Sequence, residues 1–224
     1  MTALAQMVER SSDQSVAASG ARKGVFIVFE GIDGSGKSTV AKRVHEILSA
    51  EMPDRVVLTA EPSDSFIGEA VRRANSSNVD LVAEALLFVA DRAEHTRQIR
   101  RWLEEGKVVI SDRYYCSTIA YQGALLNKRL GGTKKAVEWL KMVNAPAIIH
   151  PDLTLVLTVK VSLALERLKA RKDLTKFEDL DYLMDVDLIY RSLCMEDPTF
   201  HTLDASKAVE DVVLEAMRPI RSKL

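Results

Sequence analysis

The sequence predicts an α/β fold in which a mainly parallel sheet is flanked by helices on both faces. First, short apolar stretches rich in β-branched residues alternate along the chain with stretches of helical periodicity, as in folds built from right-handed crossover units. Second, the apolar stretch that starts at Val25 leads directly into the glycine-rich turn GIDGSGKST, a strand-to-helix pattern typical of phosphate-binding loops. Third, residues 153–159, LTLVLTV, contain no charge, as expected of a strand covered on both faces.

The other elements follow from the same patterns in chain order. Predicted strands begin at Val25 and cover residues 56–59, 107–111, 153–159 and 200–203. The first predicted helix follows the glycine-rich turn and ends before Pro53, and the second begins near Phe66. Further helical periodicity covers 80–105 as one helix or two abutting ones, most of 114–145 with a break at its two glycines, 162–171, 180–195 and 206–217.

Length and composition restrict the possible classes of protein. The 224 residues suit one domain, which we place at 24–224, whereas residues 1–23 are rich in small and polar side chains and are expected to form a disordered tail. The net charge of −1 gives no support to a nucleic-acid partner. Cys116 and Cys194 lack metal-type spacing, and no apolar run of about 18 residues is present, so we expect a cytoplasmic protein without a membrane partner.

The glycine-rich turn has the spacing G-x-x-x-x-G-K-S of a loop that binds a nucleoside triphosphate. Its glycines lack a Cβ, so the backbone can curl around an anion, and the next helix points its partial positive charge at the same place. Lys37 adds a cation for the β- and γ-phosphates, and the Ser38 hydroxyl is placed to bind a phosphate-bound Mg²⁺. The alternative is a tight strand-to-helix turn with an incidental lysine. The predicted ATP-binding residues of this turn are Gly31, Ile32, Asp33, Gly34, Ser35, Gly36, Lys37, Ser38 and Thr39.

Asp112 and Arg113 stand directly after the predicted strand 107–111, and ligands of open α/β sheets bind at the carboxyl ends of the strands. Phosphoryl transfer needs cations, a metal ion and a group that orients the acceptor. Asp112 is therefore predicted either to hold Mg²⁺ through water or to act on the acceptor, and Arg113 to bind an anion. The alternative for Asp112 is a helix N-cap.

Basic side chains are dense at the end of the predicted helix 162–171 and in the stretch after it: Arg167, Lys169, Arg171, Lys172 and Lys176. Such a run is usually a solvated helix face. In a protein with a phosphate-binding loop it also predicts a lid, here around 167–178, that closes over the phosphates and supplies a cation.

Phe88 and Arg92 are one helical turn apart, so they share a face of the predicted helix 80–105. An aromatic ring beside a guanidinium is suited to a flat heterocycle. The alternative is a core Phe88 and a surface Arg92. His95, on the same helix, is expected to be a surface or capping histidine, because no metal-binding partner lies at a matching interval.

Six stretches together resemble the thymidylate kinase family: FEGIDGSGKST, the Glu61-Pro62 turn, LLFVADRAEH, SDRYYCSTIAYQG, PDLTLVLTV and LDAS. The resemblance runs from about residue 24 to the C-terminus. It implies the three-layer P-loop NTPase fold with a five-stranded parallel sheet of order 2-3-1-4-5, ATP as phosphoryl donor, Mg²⁺, dTMP as acceptor, and a homodimer.

The resemblance also implies roles for single residues of the acceptor site. It implies that Phe88 stacks on thymine and that Arg92 hydrogen-bonds a base carbonyl. Arg113 is expected to grip the 5′-phosphate, while Asp112 supports the metal and the acceptor site.

The sugar of the acceptor is assigned to a second group of residues by the same resemblance. Tyr121 and Gln122 match positions that line the deoxyribose and the base, and Asp33 matches an acidic residue that accepts a hydrogen bond from the 3′-OH. Glu61 is counted among the dTMP-binding residues through the Glu-Pro turn.

Two departures from the family pattern affect these expectations. Many members carry arginine where this chain has Ala60, so the acceptor-phosphate contact is expected to pass to Arg72 or Arg73, or else acceptor affinity is weaker. Some members carry their catalytic arginine in the loop, where this chain has Ser35. The lid must then supply this cation, with Arg171 as first choice and then Arg167 and Lys176. Lys176 stands where lid-type members often have arginine, and a lysine lacks the bidentate fork.

The expected reaction is transfer of the γ-phosphoryl group of ATP·Mg²⁺ to dTMP, with Lys37, Asp112, Arg113 and Arg171 as catalytic residues. A kinase for another nucleotide or for a deoxynucleoside is the nearest alternative. A nucleotide-dependent switch or regulatory ATPase is a second alternative, although the guanine-reading motif N/T-K-x-D is absent from the sequence.

Overall fold

The computed structural model describes residues 24–171, 180–197 and 199–224. Five strands form one parallel sheet in the order β2-β3-β1-β4-β5, which confirms the predicted fold class. The strands are β1 (Val25–Glu30), β2 (Val56–Ala60), β3 (Val108–Asp112), β4 (Leu153–Thr158) and β5 (Phe200–Asp204). The predicted tail, residues 1–23, lies outside the described residues.

Eight α-helices occupy the described part of the chain between and after the strands, and a short 3₁₀ turn follows the fifth of them. They are α1 (Lys37–Glu51), α2 (Phe66–Asn75), α3 (Leu81–Glu104), α4 (Tyr115–Leu126), α5 (Thr133–Asn144), α6 (Val161–Arg171), α7 (Leu180–Glu196) and α8 (Val209–Arg221). The region 80–105 is therefore one helix, and the side chain of Asp80 caps it by accepting from the backbone N–H groups of Val82 and Ala83.

The strand β1 lies at the centre of the sheet, and all its residues are buried, as its apolar sequence requires. Ile27 is paired with Ile110 on one side and with Leu153 on the other. In the same register Phe29 lies beside Asp112. The carboxyl ends of β1 and β3 therefore meet at one edge, and the residues after each strand are brought together there.

The prediction of the last helix was wrong at both ends. It was expected at 206–217, but α8 begins at Val209 and continues through Pro219. The side chain of Asp204 accepts hydrogen bonds from the backbone N–H and the hydroxyl of Ser206, which holds the start in a turn. The far end extends because Ile220 is completely buried and continues the apolar stripe of the helix past the proline.

Among the described residues, no helix combines the length and the apolar character needed to span a membrane.

Candidate active site

The turn between β1 and α1 forms an open backbone cradle. Gly34 and Gly36 have φ angles of +79° and +89°, a left-handed region that other residues rarely adopt. Gly36 is the N-cap of α1, and apart from the glycine itself and its two neighbours in the chain, no atom of the described residues lies within 4 Å of the position that a Cβ would take there. The backbone can therefore surround an anion at the helix N-terminus. Ser38 and Thr39 lie exposed in the first turn of α1, whereas Ser35 is buried.

Three charged side chains meet at the mouth of this turn. Asp33 accepts hydrogen bonds from Lys37 Nζ at 3.3 Å and from Arg113 Nη2. Burial alone would raise the pKa of Asp33, but the charges of Arg113 and Lys37 outweigh it and hold this pKa well below its ordinary value. The pKa of Lys37 is lowered, first by burial and then by the charge of Arg113. Asp33 therefore joins the cation of the loop to the cation that follows β3.

The backbone of Arg113 is held in a conformation that is uncommon for a residue with a side chain. Its φ angle is +75°. Its N–H donates to the carbonyl of Phe29 at 2.9 Å, and its carbonyl accepts from the hydroxyl of Ser111 at 2.7 Å. Such a conformation persists only where the surroundings determine it, and here they aim the guanidinium at the phosphate-binding turn.

A cavity of about 810 Å³ opens beside this cluster, which we call the large cavity. All the residues that the sequence analysis assigned to the dTMP site line it: Asp33, Glu61, Arg72, Phe88, Arg92, Arg113, Tyr121 and Gln122. The Tyr121 hydroxyl accepts from the backbone N–H of Asp33 at 2.7 Å, and the ring lies 5.1 Å from the guanidinium carbon of Arg113. Gln122 is buried and donates to Glu84 at 3.4 Å.

Arg92 is not on the surface, so the alternative of a surface arginine was wrong. Only 1% of the residue is exposed. Its two Nη atoms donate to Asn144 Oδ1 at 2.6 Å, Glu61 Oε2 at 2.6 Å, Thr118 Oγ1 at 2.9 Å and the carbonyl of Tyr114 at 3.2 Å. Its Nε is buried and has no partner in the part of the chain that the structure describes. The guanidinium is therefore locked in one orientation, and two of its five N–H donors, that of Nε and one of Nη1, make none of these bonds. Phe88, one turn earlier, is half-buried at the same cavity.

His95 was expected to be a surface or capping histidine, and this prediction was wrong. Only 5% of the residue is exposed. Its Nδ1 lies 3.1 Å from Glu61 Oε1, and its Nε2 lies 2.7 Å from the hydroxyl of Thr59. The same Glu61 carboxylate holds Arg92 through its other oxygen. Glu61 therefore acts on the large cavity through Arg92, and His95 supports Glu61 from behind.

The segment after Glu61 is fastened to α3 by Asp91. This carboxylate accepts from the backbone N–H of Ser63 at 2.7 Å and from the hydroxyls of Ser63 and Ser65, at 2.5 Å and 2.9 Å. Arg72 donates to the carbonyls of Pro62 and Ser63 and lines the large cavity. Arg73 instead pairs with Glu69, its side chain is 78% exposed, and it is not among the residues that line the cavity. Of the two arginines proposed to replace the family contact at Ala60, only Arg72 reaches the site.

A second cavity, of about 330 Å³, lies on the other side of the phosphate-binding turn, and we call it the small cavity. Its lining includes Ser35, Gly36, Arg167 and Lys207. Arg167 is half-buried and donates to the carbonyls of Gly34 at 3.4 Å and Ala205 at 3.0 Å.

Most of the rest of the predicted lid lies outside the described residues. Arg171 is the last residue of α6, but its side chain and residues 172–179 lie outside the described residues. Lys172 and Lys176 fall within that gap.

Asp112 ends β3 and is not a helix cap, because the N-cap residue of α4 is Tyr114. Its Oδ1 is buried and has no hydrogen-bond partner among the described residues, although its charge acts on Lys37 and Arg113. Within those residues no group of three or more acidic, histidine or cysteine side chains could hold a metal by itself. One carboxylate and one hydroxyl beside a phosphate site fit Mg²⁺, which keeps waters and shares phosphate oxygens.

Comparison with known proteins identifies the family. The family model described as thymidylate kinase matches residues 29–216. A relative from Methanococcoides burtonii, named as a probable thymidylate kinase, is 39% identical over 202 residues, which cover 89% of this chain and 98% of the relative. The chain belongs to the thymidylate kinase family.

Two further comparisons support this membership. A protein from Pyrococcus horikoshii, also named as a probable thymidylate kinase, is 38% identical over 211 residues, covering 90% of this chain and 98% of the relative. The crystal structure of thymidylate kinase from Ehrlichia chaffeensis has a TM-score of 0.71 and 29% identity, covering 89% of this chain and 99% of the other. The fold is therefore that of a thymidylate kinase.

Several side chains that build this thymidylate kinase site were missed by sequence reasoning. Glu30, Ser117 and Tyr190 form a buried group behind Arg113, and Thr118 and Asn144 hold Arg92. Glu30 gave one local signal, since it is a charged residue at the end of an otherwise apolar strand. Asn144 gave none, because it is 52 positions from Arg92 and lies at the end of an ordinary amphipathic helix.

Proposed function

We propose that this protein transfers the γ-phosphoryl group of ATP to dTMP, giving dTDP and ADP. Membership of the thymidylate kinase family supports the reaction. The structural observation that carries the proposal is the meeting of Lys37, Asp33 and Arg113 between the phosphate-binding turn and the large cavity. A donor phosphate on the turn and an acceptor phosphate at Arg113 would approach each other there, which is what direct transfer between two bound substrates requires.

The large cavity has the chemistry needed for the acceptor. The ring of Phe88 would stack on thymine, and Arg92, held by its four acceptors, would offer one of its two remaining N–H groups to a base carbonyl. The 4-carbonyl of thymine or uracil would accept this hydrogen bond, whereas the amino group that cytosine carries at position 4 cannot, so a donor facing that position would favour thymine or uracil. Tyr121 and Gln122 would line the sugar and base, and Asp33 would accept from the 3′-OH.

The 5′-phosphate of the acceptor would be gripped by Arg113. Because Ala60 stands where many family members have arginine, we assign the second phosphate contact to Arg72. Arg72 now donates to the carbonyls of Pro62 and Ser63 at 3.1 Å and 2.8 Å, and its side chain lies at the cavity wall. The Glu-Pro turn would then help to orient the acceptor through both Glu61 and Arg72.

On the donor side, Lys37 and the backbone N–H groups of the turn would bind the β- and γ-phosphates, and the small cavity beside Arg167 would take the nucleoside part of ATP. Ser38 and Asp112 are the residues that would hold Mg²⁺, which neutralises phosphate charge when bound. We assign the transition-state cation to Arg171, followed by Arg167 and Lys176. The transfer would need no covalent intermediate, since positioning and charge neutralisation supply the catalysis.

We also propose that the protein is a cytoplasmic homodimer, as the family resemblance implies. Helices α2 and α3 expose large apolar side chains, with Phe66 82% and Leu86 44% exposed, and a second copy would cover such residues. Light scattering coupled to size exclusion would give twice the mass of 24.9 kDa.

An acceptor panel with ATP tests the proposed function. Formation of ADP is measured with dTMP, dUMP, dCMP, AMP and thymidine in turn. We expect dTMP to give the highest kcat/KM, followed by dUMP. A preference for any other acceptor would overturn the assignment of dTMP, and ATP hydrolysis that no monophosphate accelerates would favour a switch or regulatory ATPase.

A further inference from the structure

A buried carboxylate lies behind the proposed acceptor-phosphate site. Glu30 is the last residue of β1 and is completely buried. Its Oε1 accepts from the backbone N–H groups of Tyr114 at 2.8 Å and Ser117 at 3.2 Å. Its Oε2 accepts from the hydroxyls of Ser117 at 2.6 Å and Tyr190 at 2.8 Å. None of the roles that the family resemblance implies falls on this residue.

Glu30 caps a helix from a different element. Tyr114 is the N-cap residue of α4 and makes no side-chain cap, and Ser117 is the third residue of that helix. The N–H of Tyr114 would otherwise belong to the unsatisfied donors of a helix N-terminus, whereas the N–H of Ser117 is shared between Glu30 and the carbonyl of Tyr114 at 3.2 Å. A negative charge at this end of a helix is also favoured by the helix dipole. Glu30 therefore fixes the start of α4, which comes directly after Arg113.

The hydroxyl of Ser117 connects Glu30 to Arg113. Arg113 Nη1 donates to Ser117 Oγ at 3.0 Å. A guanidinium can only donate hydrogen bonds and a carboxylate can only accept them. The Ser117 hydroxyl therefore accepts from Arg113 and donates to Glu30. The hydroxyl of Tyr190, on α7, lies 2.9 Å from Ser117 Oγ and also donates to Glu30 Oε2. The hydrogen bonds all run in one direction, from the cation to the carboxylate.

The charges of Glu30, Arg113 and Asp33 also favour this arrangement. Burial raises the pKa of Glu30, and the hydrogen bonds from Ser117, Tyr190 and Tyr114 together with the charge of Arg113 act against that rise. Arg113 thus lies between two carboxylates, Asp33 on the cavity side and Glu30 behind it. Asp33 alone would draw the guanidinium toward the phosphate-binding turn.

We propose that Glu30 is a positioning residue for the acceptor phosphate, which acts through Ser117 to hold the guanidinium of Arg113 in its binding orientation. This inference rests on the proposed function, because it takes Arg113 as the group that grips the phosphate of dTMP. Tyr190 shares the task and ties the acceptor site to α7, the helix that follows the lid segment.

A purely structural role for Glu30 would have a different kinetic signature. Glu30 directly precedes Gly31, so a general disturbance of β1 would alter the phosphate-binding turn and raise the KM for ATP. Loss of the positioning role would instead act on the KM for dTMP. The two Michaelis constants therefore separate the two roles.

The test compares the full-length protein with its Glu30→Gln variant. The amide keeps one oxygen for the two backbone N–H groups, but it places an NH₂ group where two hydroxyls now donate, and it removes the charge that balances Arg113. We expect the KM for dTMP to rise about tenfold, the usual scale for a lost hydrogen bond to a charged group, while the KM for ATP stays within about twofold. Calorimetric titration with dTMP should show the same weakening.

Asp152→Asn is the matched control. Asp152 also accepts from a backbone N–H, that of Phe26 at 2.9 Å, but it lies at the amino end of the sheet, opposite the site. Both Michaelis constants of this variant should stay within about twofold of the wild type, since this half-buried carboxylate lies at the far end of the sheet from the site and a substitution away from the site seldom has a larger effect.

A double-mutant cycle tests whether Ser117 relays the effect. If Glu30 acts through Ser117, then Ser117→Ala raises the KM for dTMP by a similar factor, and the double variant is no worse than the worse single variant. Tyr190→Phe, which removes one donor and no charge, should give a smaller rise. Independent, multiplicative effects of Glu30→Gln and Ser117→Ala would overturn the relay.

Other results would overturn the proposal for Glu30. An unchanged KM for dTMP in Glu30→Gln, or equal rises in both Michaelis constants, would overturn the proposal. If Glu30→Gln does not fold, Ser117→Ala and Tyr190→Phe decide in its place, and the proposal fails if neither changes the KM for dTMP. A wild-type protein that does not phosphorylate dTMP would refute the proposed function and this inference with it, whereas an active wild type with an unaffected variant refutes only the inference.

Discussion

The large and small cavities are built in different ways on the two sides of one loop. Arg92, at the large cavity, is almost completely buried, and its guanidinium is held by four acceptors from three segments: the turn after β2, the start of α4 and the end of α5. Arg167, at the small cavity, is half-buried and donates to two backbone carbonyls, one of them at 3.4 Å. Under the proposed assignment, the cation of the acceptor side is therefore preorganised by the scaffold, whereas Arg167 of α6, on the donor side, is held less firmly. Recognition of the acceptor and closure over the phosphates are assigned to different parts of the fold.

Replacement of Lys37 should have the largest effect, because this residue lies where the two sides meet. Lys37→Met removes the cation on the β- and γ-phosphates, and we expect kcat to fall on the order of 10²–10³-fold. Steady-state assays with saturating dTMP and ATP measure this effect. Lys42→Met, an exposed position on the same helix, is the control and should retain full turnover. Near-normal turnover of Lys37→Met would contradict the role of the loop.

Replacement of Arg92 tests the preorganised side. Arg92→Lys keeps the charge but loses the planar guanidinium that donates to four acceptors. The buried carboxylate of Glu61 would then lose the well-oriented hydrogen bond that it accepts from Arg92. We expect the KM for dTMP to rise roughly 10- to 100-fold with little change in the KM for ATP. Arg97→Lys, at an exposed position of α3, is the matched control. A rise confined to the KM for ATP would reverse the assignment of the two cavities.

Replacement of Arg167 tests the other side and should have a smaller effect. Arg167→Ala removes a half-buried cation with weak anchors, and we expect the KM for ATP to rise roughly three- to tenfold while the KM for dTMP is unaffected. Arg43→Ala, on the exposed face of α1, serves as the control. An effect as large as that of Arg92→Lys would show that the small cavity is as firmly preorganised as the large one.

The smallest expected effect concerns the pH dependence of stability at Asp33. The pKa of Asp33 is held below its ordinary value of 3.8 in the folded protein, so the ionised carboxylate stabilises the fold at pH values above 3.8. This contribution is lost as the pH falls below 3.8 toward the folded-state pKa. Urea unfolding of wild type and Asp33→Asn should show the same difference at pH 7 and pH 5 and a smaller one at pH 3, because the loss begins near 3.8 and is complete only below the folded-state pKa. A difference that grows on acidification would mean that the pKa is shifted in the opposite direction.

The phosphate-binding turn could be predicted from sequence because its information is local. The glycines, Lys37 and Ser38 lie within one short stretch, and strand-to-helix geometry determines where they point. The same holds for Asp112 and Arg113, which follow a buried strand, since the carboxyl ends of parallel strands share one edge. Helical spacing placed Phe88 and Arg92 on one face of α3, but it left a surface Arg92 as an alternative, and only the family resemblance implied a base site.

Side chains that act across long sequence distances could not be predicted. Glu30 and Tyr190 are 160 positions apart, and no periodicity relates them. His95 was wrongly expected on the surface because its partner Glu61 comes from the turn after β2, which the pattern of α3 does not reveal. The end of α8 was placed too early, at residue 217, although a proline near the end of a helix removes few hydrogen bonds and the apolar stripe continues past it.

Calorimetric titration of the nucleotide-free protein with dTMP tests the preorganised acceptor site most directly. With four acceptors already holding Arg92, we predict that dTMP binds with one molecule per chain in the absence of ATP and at least about tenfold more tightly than dCMP, the usual value of one hydrogen bond to a charged donor. Binding that occurs only with an ATP analogue present, or equal affinity for dTMP and dCMP, would contradict it.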